Sequence, residues 1–130
     1  MDYFDTFAPA ATQVSVCLVL HLAAVLGLHA RVLDVEQAFV HGELEEQIHM
    51  VPPPGLNGVM PTPADKVWRL KRPLYGLKQA PRQWHEKLKE VLLGLGFSPS
   101  HGDPSLFIKQ SDDGCWVLVY VDDMLLMTWL

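Results

Sequence analysis

The stretch Tyr120-Val121-Asp122-Asp123-Met124 places two adjacent carboxylates between two apolar runs. Short runs of Val, Leu and aromatic residues at 115–121 and 124–128 predict two buried strands. Asp122 and Asp123 fall where the chain turns between these strands, so the stretch predicts an antiparallel hairpin. The carboxylates have two interpretations: a polar hairpin turn, or part of an all-oxygen Mg²⁺ site that a third carboxylate completes.

The composition predicts one globular unit. A chain of 130 residues with 49% hydrophobic content is long enough for one core, so we expect a single domain over residues 1–130. Cys17 and Cys115 each lie in an apolar run without a C-x-x-C pair, which favours free thiols in a reducing, intracellular compartment, cytoplasmic or nuclear. Val14 to Leu28 is apolar, but the preceding residues are acidic and His21 interrupts it. We therefore predict a buried helix and no membrane partner.

The charges are unevenly distributed. The net charge is −5, yet residues 66–89, which we name the basic band, hold eight of the ten Lys and Arg residues and only one acid, Glu86. The basic band therefore carries +7 and the rest of the chain −12. Such a band is either a solvated face or a surface that binds nucleic acid.

Periodicity and turn signals predict the other elements. They are a helix over 12–28, short strands at 31–35, 47–51 and 67–70, a solvated turn at 42–46, a proline-rich surface excursion at 52–63, a tight connector at 73–79, a helix that begins at Pro81 and ends at Gly94 and Gly96, a strand at 105–109, and a hairpin turn at Asp113-Gly114. This order predicts an α+β fold with helices packed on one face of an antiparallel sheet.

A candidate for the third carboxylate is Asp34, near the end of the strand at 31–35. Neighbouring strands could bring its end of the sheet to Asp122 and Asp123, although an exposed strand-end acid is the ordinary alternative. Phe39, five residues on, could form a wall of the same pocket or belong to the core.

Several motifs resemble the reverse transcriptase of Ty1/copia-type retrotransposons. The most specific is the eleven-residue run Leu74-Tyr75-Gly76-Leu77-Lys78-Gln79-Ala80-Pro81-Arg82-Gln83-Trp84, and Tyr120-Val121-Asp122-Asp123 matches the catalytic turn of that family. Further matches in the family's order are Phe7-Ala8-Pro9, Leu33-Asp34-Val35 with Ala38-Phe39, Gly42-Glu43-Leu44-Glu45-Glu46, and Asp103-Pro104-Ser105-Leu106-Phe107. The resemblance covers nearly the whole chain.

The resemblance implies a polymerase palm that carries out RNA-directed DNA synthesis. Asp34, Asp122 and Asp123 match the family's metal-binding aspartates, so the implied cofactor is a pair of Mg²⁺ ions, for which Mn²⁺ can substitute. Asp34 and Asp122 would hold the ions for attack of a primer 3′-hydroxyl on the nucleotide α-phosphate, and Asp123 would support the site. The implied partners are an RNA or DNA template-primer and deoxynucleoside triphosphates.

The resemblance also assigns contacts to substrate. Phe39 matches the aromatic residue that excludes a ribose 2′-hydroxyl, and Tyr75 and Gly76 match the element beside nucleotide and template, where a side chain at Gly76 would block close backbone approach. Lys78 and Arg82 would contact phosphate. The alternatives are Tyr75 in the core and Lys78 and Arg82 as solvated helix-end residues.

The chain also departs from the family. Glu36-Gln37 stands where Lys-Thr is usual, and Glu36 could disturb the metal site if it faces inward. We expect the basic fingers segment upstream of this start, and the thumb and ribonuclease H regions beyond its end, so the fingers are incomplete and the thumb absent. The prediction is thus a palm-centred fragment. One alternative is a non-catalytic, domesticated or decaying fragment that at most binds nucleic acid through the basic band. Another is a generic Mg²⁺-binding α+β module.

Overall fold

The computed structural model describes residues 8–54, 66–110 and 114–129. In these ranges the elements are, in order, α1 (Gln13–Leu26), β1 (His29–Asp34), the 3₁₀ helix η1 (Ala38–His41), β2 (His49–Met50), β3 (Trp68–Arg69), α2 (Ala80–Gly94), β4 (Ser98–Pro99), β5 (Leu106–Lys109), β6 (Cys115–Tyr120) and β7 (Asp123–Thr128). The prediction of an α+β fold with an antiparallel sheet is confirmed.

Five strands form the main sheet in the order β1-β7-β6-β5-β4, and each neighbouring pair is antiparallel. β6 and β7 are the predicted hairpin, in which Tyr120 pairs with Asp123 across a two-residue turn. β1 pairs with the other side of β7 and forms one edge of the sheet. β2 and β3 pair separately as a small two-stranded sheet.

The two α-helices pack on opposite faces of the main sheet, so the prediction that helices pack on one face is wrong. α2 covers the face on which Val117 and Val119 are buried, and α1 covers the face that holds Leu118 and Met127. The physical reason lies in β6, which is apolar at successive positions rather than at alternate ones. A strand of this kind needs cover on both of its faces.

Most predicted elements occur, but several short ones differ, and the prediction that the first helix is buried is wrong, since only Val19 and Ala23 of α1 are buried. The strands predicted at 47–51 and 67–70 shrink to two residues each, and β4 and η1 were not predicted because they span only two and four residues. The solvated turn predicted at 42–46 is wrong at its first residue, since Gly42 is buried. Most of the proline-rich segment, and Asp113 of the predicted hairpin turn, lie outside the described residues.

Asp103 connects the start of α1 to the loop before β5. Its carboxylate accepts hydrogen bonds from the backbone N–H of Thr12 (3.4 Å), the hydroxyl of Ser15 and the backbone N–H of Ser105 (2.9 Å). Asp103 is only 8% exposed. Burial alone would raise its pKa, but the hydrogen bonds from Ser15, Ser105 and Thr12 outweigh that effect and lower the pKa. The ionised carboxylate therefore stabilises the packing of α1 against the sheet.

In the described ranges, neither α-helix combines the length and the apolar character that a membrane span requires.

Candidate active site

The three predicted aspartates meet at one end of the main sheet. Asp34 is the last residue of β1 and Asp123 the first of β7, and the two are direct partners in the antiparallel register. Asp122 lies in the turn before β7, and its carbonyl accepts a hydrogen bond of 3.1 Å from the backbone N–H of Val35. Sheet formation thus places side by side aspartates that are nearly ninety positions apart in the sequence.

The aspartates are accessible to solvent, and Asp34 and Asp123 are register partners, but the three side chains do not form a preformed metal site. Asp34 and Asp123 are exposed, and Asp122 is half-buried. Among the described residues, no three acidic, histidine or cysteine side chains are arranged to hold a metal ion. Two like charges directly opposite each other in a sheet repel, and a cation between them would remove that repulsion. The oxygen donors suit Mg²⁺, provided that the side chains reorient around the ion.

The turn that carries Asp122 has an unusual backbone. Val121 adopts a φ of 59°, a left-handed conformation in which a β-branched residue is rare. Trp84 of α2 donates a hydrogen bond from its indole Nε1 to the carbonyl of Val121, at 2.7 Å. α2 begins within the eleven-residue motif, and this hydrogen bond links it directly to the turn between β6 and β7. Sequence reasoning missed this role of Trp84, which it named only as the last residue of the eleven-residue motif.

Phe39 and Tyr75, both predicted to bind nucleotide, are in contact. Their ring centroids lie 4.5 Å apart with an angle of 49° between the planes. Tyr75 is 56% exposed, so the alternative that it is an ordinary core residue is wrong. Gly76 has a φ of 93°, and a Cβ at this position would meet no atom within 4 Å. Glycine is therefore favoured at position 76 by its positive φ, and not because other atoms of the chain would clash with a side chain.

Gly42 holds the segment that carries Phe39 against α2. A Cβ at Gly42 would lie 3.1 Å from the carbonyl carbon of Gln83 and 3.2 Å from the backbone nitrogen of Trp84. Arg72 also donates a hydrogen bond from Nη1 to the Gly42 carbonyl, at 3.2 Å. Sequence reasoning missed this contact because a glycine followed by acidic residues also fits an exposed turn. Position 42 is thus a close approach between η1 and α2.

Acidic residues partly neutralise the basic band. Lys87 pairs with Glu90 at 2.9 Å and with Glu43 at 3.8 Å, and the hydrogen bond that its ammonium donates to Glu90 is the largest of the effects that raise the pKa of Lys87. Arg82 and Lys87 also line a cleft of about 350 Å³ together with acidic residues. Those acids are Glu43, Glu45, Glu46, Glu86 and Glu90. The net charge of +7 read along the sequence therefore overstates the positive surface near α2.

Lys78 and Arg82 lie at the start of α2, where the sequence placed them. Lys78 is exposed just before the helix, Arg82 is half-buried in its first turn, and both residues make interactions within the protein. Glu36, the acidic departure from the family pattern, is exposed, and Gln37, with a φ of 53°, directly precedes η1 as its N-cap residue. Only three residues therefore separate the end of β1, at Asp34, from the start of η1, which carries Phe39.

This arrangement of an aspartate-bearing hairpin, a third aspartate on the adjacent strand and a packed motif helix agrees with the sequence motifs. The chain matches the family model described as "Reverse transcriptase (RNA-dependent DNA polymerase)" over residues 1–129. It belongs to the reverse transcriptase family.

Within that family, its relatives are Pol polyproteins of Ty1/copia-type retrotransposons, which confirms the resemblance. The chain is 42% identical over 127 residues to "Retrovirus-related Pol polyprotein from transposon RE2" of Arabidopsis thaliana, covering 97% of this chain and 9% of that protein. It is 37% identical over 129 residues to "Retrovirus-related Pol polyprotein from transposon TNT 1-94" of Nicotiana tabacum, covering 98% and 10%. It is 30% identical over 132 residues to "Transposon Ty1-BL Gag-Pol polyprotein" of Saccharomyces cerevisiae, covering 98% and 7%.

The chain therefore spans a tenth or less of the length of these three relatives. No solved structure matches it.

Proposed function

We propose that residues 1–130 form one partial, palm-centred reverse transcriptase domain that takes part in RNA-directed DNA synthesis by a two-metal mechanism. The observation that carries this proposal is the register of Asp34 opposite Asp123, with Asp122 bonded through its carbonyl to Val35. The sheet places two strand ends that are distant in the sequence next to each other, and together they carry three aspartates. This arrangement favours a divalent-metal site over an ordinary polar turn, which would need no third aspartate.

Asp34 and Asp122 would hold two Mg²⁺ ions, and Asp123 would add negative charge beside them. When bound, the ions would lower the barrier to nucleotidyl transfer by stabilising charge on the attacking and leaving oxygens. The chain's own part is to supply hard oxygen donors at one sheet end. Binding of the ions requires these carboxylates to turn toward each other, because the described residues hold no preformed group of three ligands.

The partners in this proposal are an RNA or DNA template-primer and deoxynucleoside triphosphates. The contact between Phe39 and Tyr75 supports a shared role, in which Phe39 lies beside the sugar and Tyr75 beside the nucleotide and template. Gly76 would keep the adjacent backbone in its left-handed conformation. Lys78 and Arg82 would contact phosphate by exchanging their interactions within the protein for contacts to nucleic acid.

The experiment that tests the proposal is Mn²⁺ binding, followed by electron paramagnetic resonance, with and without deoxynucleotide. Mn²⁺ is the probe, and the chains compared are the parent, Asp34→Asn, Asp122→Asn and the control Glu46→Gln, which removes one charge from an exposed acid elsewhere. We expect both aspartate variants to weaken one shared site by at least tenfold while the control binds as the parent does. If neither aspartate matters, the catalytic proposal is wrong for this chain.

A non-catalytic fragment that only binds nucleic acid is the second candidate, and the absence of a preformed three-ligand group among the described residues favours it. Salt-sensitive RNA binding that survives Asp122→Asn, together with no Mn²⁺ site, would support this candidate. Primer extension that depends on Asp122, measured after restoring the flanking polyprotein regions, would support the polymerase.

A further inference from the structure

The backbone at Val121 requires an external support. Its φ of 59° lies in the left-handed region, where a β-branched side chain is strained. A two-residue hairpin turn often needs a positive φ at its first central position, but Gly is the residue that normally supplies it. The valine therefore keeps this conformation only because surrounding contacts hold it.

Trp84 makes the contact that can supply this support. Its indole N–H reaches the Val121 carbonyl at 2.7 Å, and the residue is only 6% exposed. The side chain lies in the core on the α2 face together with Ala38 and Leu88, so its position is determined by packing. A donor held by the core can fix the direction of the carbonyl that it binds.

The direction of that carbonyl also sets the direction of the next residue. Because the peptide group is planar, the Val121 carbonyl and the Asp122 N–H point in opposite directions and rotate as one unit. Asp122 then bonds through its own carbonyl to Val35, which directly follows Asp34. One chain of contacts thus runs from Trp84 through the turn to the strand that carries the third aspartate.

We propose that Trp84 is a positioning residue that fixes the Val121–Asp122 peptide and thereby holds the backbone of Asp122 and Asp123 beside that of Asp34. Its relevance to metal binding rests on the function proposed above. Trp84 touches no metal or substrate in this role. It acts through the turn, and its indole N–H, rather than its ring, carries the effect.

Two substitutions separate the hydrogen bond from packing. Trp84→Phe retains an aromatic ring in the core but removes the donor, and Val121→Gly removes the backbone strain, since glycine adopts a positive φ readily. If the hydrogen bond holds a strained turn, Trp84→Phe should disturb the conformation of the turn, and adding Val121→Gly should restore it. If Trp84 acts only by filling space, the glycine cannot compensate for the missing volume.

The first measurement follows the turn itself by backbone chemical shifts of residues 121–123, without metal. We expect Trp84→Phe to move these shifts, and Trp84→Phe/Val121→Gly to return those of Asp122 and Asp123 to the values of Val121→Gly alone. In the parent, the Trp84 indole N–H should exchange with solvent at least tenfold more slowly than that of Trp129, which is 43% exposed. Unmoved shifts, or rapid exchange at Trp84, would overturn the inference even if a variant failed to fold.

The second measurement repeats the Mn²⁺ titration. We expect Trp84→Phe to weaken binding about fivefold to tenfold, the effect of one buried hydrogen bond, and the double variant to recover it. Equal binding by the parent and Trp84→Phe would overturn the inference while leaving the proposed function intact. If no chain binds Mn²⁺ but the chemical shifts move and return as expected, Trp84 positions the turn and the proposed function is the part that fails.

Discussion

Asp34 and Asp123 are direct cross-strand partners at the end of the β1–β7 pair, so two carboxylates of the same sign face each other at the edge of the sheet. Like charges in this position lower the stability of a sheet. The metal-free chain therefore retains an unfavourable pair that a divalent cation would turn into a favourable one.

Replacing Asp34 by Asn should make the metal-free chain more stable by a few tenths to about 1 kcal/mol, because it removes one of the two facing charges. Mg²⁺ should raise the urea midpoint of the parent but not that of Asp34→Asn. Urea unfolding in EDTA and in Mg²⁺ measures both effects. Glu46→Gln carries the same change in net charge, and an equal gain in that control would assign the effect to overall charge instead of to the facing pair.

Replacing Gly42 by Ala should destabilise the fold by about 1 to 3 kcal/mol, because the added methyl group would crowd the backbone of α2 at Gln83 and Trp84. Thermal or urea unfolding measures this loss. Gly94→Ala is the matched control, since a Cβ at Gly94 would meet no atom within 4 Å and alanine favours the helix. A Gly42→Ala chain as stable as the parent would contradict the close approach of η1 and α2.

Asp103 should make stability depend on pH in the acid range. Its pKa in the folded chain is lowered from the ordinary value of 3.8, so its contribution is complete above that value and is lost as the pH falls through the folded pKa. Asp103→Asn should cost about 1 to 3 kcal/mol at neutral pH and should flatten this part of the curve. Urea midpoints between pH 3 and 7 test it, with Glu46→Gln expected to keep the slope of the parent.

His85 should give a second pH dependence, near neutrality. Burial is the largest cause that lowers its pKa from 6.5, Lys89 also lowers it, and Glu86 raises it. The unfolded chain therefore takes up the proton first, so the free energy of unfolding should decrease as the pH falls below about 6.5 and level off below the folded pKa. His85→Gln should lose this dependence and exposed His29→Gln should keep it. Parallel curves for all three chains would contradict it.

The sequence was sufficient to predict the hairpin, and it indicated that a neighbouring strand could bring Asp34 near Asp122 and Asp123. The paired apolar runs flanking Asp122 and Asp123 determine the hairpin, and a strand ending at Asp34 needs only to pair with it. The same runs also contained the signal for two covered faces, because Val117 and Leu118 are adjacent and both buried. The prediction of cover on one face follows from the order of the elements, which carries no information on burial along each strand.

The Trp84–Val121 hydrogen bond and the close approach at Gly42 depend on distances between atoms, which a sequence pattern does not encode. The Trp84–Val121 hydrogen bond joins residues 37 positions apart, and a tryptophan on the apolar side of a helix predicts core packing equally well. The close approach at Gly42 depends on where η1 meets α2, and a helix of four residues leaves almost no periodicity to detect. Both features arise from tertiary packing instead of local preference.

The position of β1 at the sheet edge has a thermodynamic consequence. Asp34 is held by a strand that, within the described ranges, pairs with β7 alone and whose six residues are all exposed, so local fraying of this strand can separate Asp34 from the other two aspartates without global unfolding. An ion that requires Asp34 binds only the docked form, and its apparent affinity is reduced by the fraction of molecules in which β1 is frayed. Cation binding and edge-strand docking are therefore linked equilibria, and each must strengthen the other.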